Sequence, residues 1–123
     1  MKSSAFHILR VGIAITFLWI GILIFRDPIG WGGYLQPWAI ALVPVSLKTF
    51  MTGIAIFDVM VGILLLIDFL TFWAAVFASL HLFIVIFVAG ITEITIRDLG
   101  LLAGTLALMI QSWPQGLKFF KKK

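Results

Sequence analysis

Apolar residues run in long blocks along this chain, and polar residues gather in the joints between them. Four blocks approach the length that crosses a hydrocarbon core, about 20 residues at about 1.5 Å of rise each. They run from about Phe6 to Phe25, Lys48 to Ile67, Thr71 to Ala89 and Arg97 to Trp113. None of them alternates as a strand does. In lipid only helices and closed barrels satisfy the backbone internally. The pattern predicts one all-α domain over 1–123, an integral membrane four-helix bundle with up-down topology and a basic tail at 114–123.

The joints differ. Asp68, Phe69 and Leu70 form a tight turn between the second and third segments, and Gly90 to Ile96 joins the third to the fourth. Arg26 to Leu47 is long, and Pro28, Gly30, Gly32, Gly33, Pro37 and Pro44 interrupt any regular helix there. Trp31, Tyr34 and Trp38 in this stretch suit the headgroup level, where a ring is half apolar and half wet. The stretch reads either as a lid lying on the membrane surface or dipping into it, or as a plain aromatic anchor. Within the segments, small and polar residues form one stripe each: Gly12 and Thr16; Ala55, Asp58 and Gly62; Thr71, Ala74, Ala78 and His81; Gly100, Gly104 and Ala107. Helices in lipid associate through such stripes.

Composition supports this picture. Hydrophobic residues make up 63% of the 123 residues and charged residues 11%, against about half and a quarter in a soluble domain. A chain this short has too little interior to hide them. The same numbers exclude disorder. The net charge of +4 is carried largely by the two ends, which points to membrane orientation and anionic lipid rather than nucleic acid. Lys2, Arg10, Lys118, Lys121, Lys122 and Lys123 fall on one side, and Arg26, Lys48 and Arg97 on the other. The positive-inside rule then places both termini in the cytoplasm and the aromatic loop outside. The first segment is too long for a cleaved signal peptide, and no small-x-small site follows it.

Asp58 and His81 are the first candidates for chemistry. Each lies equally far in sequence from the tight turn, so an antiparallel hairpin sets them at one depth near the bilayer midplane. A carboxylate there is costly unless paired or protonated, and such residues mark proton relays or ligand pathways. The other reading is a polar clasp that fixes helix register. Glu93, Arg97 and Asp98 form a second cluster on the outer side. Thr95 to Asp98 fits a helix-capping pattern, and Arg97 can pair with Glu93 one turn back. Functionally, Arg97 offers a hold for an anionic or carbonyl-bearing ligand beneath the aromatic loop. Arg10 either snorkels to the headgroups or meets Asp68, and His7 is expected to be solvated.

Other chemistries lack their residues. With 0 cysteines there is no thiol catalysis and no cysteine-ligated iron–sulfur cluster. His7 and His81 lie at very different depths for bis-His haem within one chain, and no metal, P-loop or dinucleotide motif is present. A redox role therefore calls for a borrowed carrier, such as a membrane quinone, or a partner subunit.

These residues, in this order, resemble the DoxX family of small four-helix membrane proteins. The resemblance runs from about Arg10 to Met109. It rests on Arg10, Gly12 and Gly21; on Pro28, Trp31, Tyr34-Leu35 and Pro37-Trp38; on Gly53, Asp58 and Gly62 to Leu66; on Ala78 to Leu82; and on Ile96 to Leu101. The family commonly carries Glu where this chain has the shorter Asp58. The resemblance implies a subunit of a quinone-linked redox system in a prokaryotic inner membrane. Asp58 and His81 would handle protons, while Trp31, Tyr34, Trp38 and Arg97 would hold the quinone. An accessory or scaffold role in a membrane complex is the alternative, and a small transporter a further one. Homo-oligomers or other membrane-complex subunits are the expected partners.

Overall fold

In the computed structural model, which describes residues 3–114, all regular structure is helical. The elements are α1 (Ser4–Arg26), α2 (Pro28–Gly32), α3 (Pro37–Ala41), α4 (Leu47–Leu66), α5 (Thr71–Ala89) and α6 (Glu93–Gln111). Among the described residues, three helices are long and apolar enough to cross a membrane: α1, α4 and α5. Their outer faces carry Trp19, Ile56, Phe83 and Phe87 in the open. Large apolar side chains displayed on all three helices suit lipid and not water. The chain is a membrane protein.

Two of the expected joints take a different form. The stretch after α1 contains two short helices, because Pro28 and Pro37 stand at first-turn positions, where a missing N–H is harmless. Asp27 caps α2 by accepting from the Gly30 amide at 3.2 Å. The last helix starts at Glu93, four residues earlier than the sequence pattern suggests. Thr92, not Thr95, is its N-cap, and Thr92 and Thr95 bond reciprocally in a capping box. The Thr95 hydroxyl also donates to the Gly90 carbonyl at 2.6 Å, tying the end of α5 to the start of α6.

The helices pack chiefly as α1 on α4 and α5 on α6; α4 with α5 and α1 with α6 meet less extensively. The α1–α4 contact is a close backbone approach. A methyl group on Gly62 would stand 2.9 Å from the Leu18 nitrogen and 3.0 Å from the Ala14 carbonyl oxygen. One on Gly21 would stand 3.0 Å from the Ala55 oxygen. Between α5 and α6, the Ser79 hydroxyl donates to Thr105 at 2.8 Å, both residues being buried. The α4–α5 turn places Asp68 and Leu70 at φ 57° and 54°, and Asp68 accepts from the Thr71 hydroxyl.

The small-residue stripes are corrected at two helices. Gly12 and Gly100 face open space, whereas Gly104 meets Ile13. The inward face of α1 is Ile13, Ala14, Phe17, Gly21 and Ile24. His7 is also not simply solvated. Arg10 is buried and hydrogen-bonds the His7 Nδ1, the Leu65 carbonyl at 2.6 Å and the Leu66 carbonyl at 2.8 Å, with Asp68 3.9 Å away. Of the basic residues used for orientation, Lys2, Lys118 and Lys121 to Lys123 lie outside the described residues.

Candidate functional site

Asp58 and His81 meet. On α4, Asp58 shares the buried face of Ala55 and Gly62; on α5, His81 stands one turn beyond buried Ala78. The His81 Nε2 lies 3.4 Å from the Asp58 Oδ1. Asp58 is 3% exposed. Among the described residues Oδ1 has no hydrogen-bond partner, so the imidazole faces it at ion-pair distance without closing a hydrogen bond. The Phe57 ring packs on the imidazole with centroids 4.9 Å apart and limits its movement.

A cavity of about 120 Å³ adjoins this pair. It lies where the two tight helix pairs face each other. Phe17, Ile20 and Ile24 of α1, Met51 of α4 and Leu82 of α5 give it apolar walls. The Trp31 and Tyr34 rings, 5.8 Å apart, line it from α2 and the residues after it. α2 is held by Leu47 packed on Gly32, and the following chain by the Gln36 amide, which donates to the Val88 carbonyl at 3.0 Å.

The expected ligand-holding residues divide. Trp31 and Tyr34 are in the wall; Trp38 and Arg97 are not. Trp38 sits edge-on against Phe87, and Arg97 is exposed. The reason is helical phase. On α6, Thr95, Asp98, Thr105 and Leu108 share the inward face at spacings of three and seven, and Arg97, about 100° round the helix from Asp98, falls outside it.

Asp98 turns into the cavity wall with Thr92 and Thr95; the sequence pattern places it in the outer cluster as a helix-capping residue and gives the ligand-holding role to Arg97 instead. A face drawn through Thr95, Asp98 and Thr105 was the available signal. The site combines a ring-sized apolar space, two carboxylates, one imidazole and several hydroxyls. It can hold a small ring by its faces and exchange protons or hydrogen bonds with a polar group on that ring. Comparison with known proteins adds nothing to this geometry, since no family model, curated protein or solved structure matches the chain.

Proposed function

We propose that this protein is the membrane subunit of a quinone-linked redox system, with the Asp58–His81 pair as its proton-handling site. The single observation that carries this reading is the unsatisfied Asp58 Oδ1 beside His81 at the edge of an apolar cavity. A buried acceptor left unpaired is costly, and a ring hydroxyl donating to it would remove that cost. The volume is of single-ring order, a little below that of an apolar cavity of about 150 Å³ that takes up benzene. A bound quinone would supply the two-electron carrier. The chain's own residues would grip the ring between Trp31, Tyr34 and the aliphatic walls. Asp58 and His81 would accept the protons released as a quinol is oxidised, while the electrons pass to a redox-active partner subunit.

In the same proposal α6 is a fourth span, the four long helices form an up-down bundle, and both termini are cytoplasmic in a prokaryotic inner membrane. The DoxX-like resemblance belongs with this reading. α6 has 19 residues, as many as α5, with Glu93, Arg97 and Asp98 confined to its first turns. The test is organic extraction of the purified protein. Quinone is expected in extracts of the parent and strongly reduced in Trp31→Ala and in an Asp58→Asn variant of unchanged melting temperature; a parent free of quinone that also fails to bind added quinone would overturn the reading.

A second reading, an accessory protein of a membrane complex, is favoured by one observation. Gly12, Gly53 and Gly100 are exposed with open space above them, which is how small residues admit a helix from another chain.

A further inference from the structure

The charges around the cavity favour one class of ligand more than a quinone alone would require. Two carboxylates, Asp58 and Asp98, are in its wall, and among the described residues no Lys or Arg is. With one of them ionised beside a neutral imidazole the wall is negative, and a bound cation would favour that ionised form. Asp58 is almost wholly buried, with an oxygen that no described group satisfies. A carboxylate away from water is costly to ionise unless a cation or a hydrogen-bond donor meets it. Depth places both carboxylates within one small ligand's reach. Measured from the α5–α6 turn, Asp98 lies about 7 Å down its helix and His81, beside Asp58, about 12 Å down. Trp31 and Tyr34 offer aromatic rings to the same space, and such rings attract organic cations. Arg97, which would repel a cation, is outside the wall.

We infer that this cavity binds a small aromatic or aliphatic ammonium cation, held between Asp58 and Asp98 and covered by Trp31 and Tyr34. The inference rests on the cavity being a ligand site, as proposed above, and not on the redox reading. In this arrangement Asp98 is a binding residue, and a cation and a quinone ring exclude each other.

The test is calorimetric titration of the full chain in detergent with three probes. These are benzylammonium, its uncharged carbon isostere ethylbenzene, and p-benzoquinone. Benzylammonium is expected to bind one per chain and to be displaced by p-benzoquinone, while ethylbenzene leaves its affinity unchanged. Asp98→Asn should weaken the cation at least tenfold, Asp98→Glu should restore much of the loss, and Trp31→Ala should weaken it about fivefold. Because Asp58→Asn risks misfolding, Asp98→Asn, at a less buried position, is the deciding variant, with its melting temperature measured alongside. Saturable cation binding with these variant effects supports the inference even if the quinone does not bind, in which case the redox reading fails alone. Binding of p-benzoquinone without the cation overturns the inference and leaves the redox reading standing. Equal affinity for the cation and its isostere, or an Asp98→Asn variant that binds the cation unchanged, also overturns it. Failure of all three probes overturns both.

Discussion

Arg10 ends α4 from another helix. Its Nη1 donates to the Leu65 and Leu66 carbonyls, in the last turn of α4, and its charge sits at the negative end of that helix dipole. Hydrogen bonds from charged donors stabilise more than neutral ones. Arg10→Met should therefore lower stability by about 2 kcal/mol, read by thermal or detergent unfolding, and Arg10→Lys should recover part of it. The Ser79–Thr105 bond is smaller in consequence, since interhelical hydrogen bonds in membranes average about 0.6 kcal/mol; Thr105→Val should cost about that much in the same assay. At the candidate site the expected signature is functional. Asp58→Asn and His81→Gln should each remove most proton-linked activity of the assembled complex, and the double variant should be little worse than either. Single variants that lose stability while keeping full specific activity would make the pair a clasp and nothing more.

Among the elements, the glycines separate close contact from open surface. At Gly62 a new methyl meets backbone atoms of α1, which cannot give way without moving the helix. Gly62→Ala should destabilise by about 2 kcal/mol, within the range for overpacking. Gly104→Ala meets the flexible ends of Ile13 and Leu9 and no backbone, and should change stability by about 0.5 kcal/mol or less. Gly12→Ala and Gly100→Ala meet nothing, and should be neutral or stabilising by up to about 1 kcal/mol through helix propensity. Equal losses at all four positions would contradict the α1–α4 packing. In α6 side-chain phase is an element-scale property: Asp98 shares the inward face of Thr105 and Leu108 and stands in the cavity wall, while Arg97, about 100° round the helix, stays outside.

For the whole molecule, the arrangement of two tight helix pairs leaves space at their junction, and the cavity with Asp58, His81 and Asp98 occupies it. The proposed crossing by α6 has a direct check. Reporter fusions at the C-terminus and within Trp31–Trp38 should report opposite sides of the membrane, with the C-terminus cytoplasmic. Both reporters on one side would mean that α6 lies along the surface.

By itself the sequence determined the membrane-spanning character of α1, α4 and α5 and the helical state of all four long segments, because a desolvated backbone has few other solutions. It also set Asp58 opposite His81, since both lie equally far from a tight turn. Which faces meet was decided only by tertiary structure. In a soluble helix the apolar stripe marks the interior, but a lipid-facing surface is as apolar as a packed one. Gly12 and Gly62 are alike in sequence, yet one faces open space and the other α1. Arg10 finds its carbonyls 55 and 56 residues away, and Asp98, whose face with Thr95 and Thr105 is legible in the sequence, shares a cavity with Asp58 and His81 only because of how the helices cross. Those partners follow from how helices cross, and local hydrophobic pattern carries no record of that.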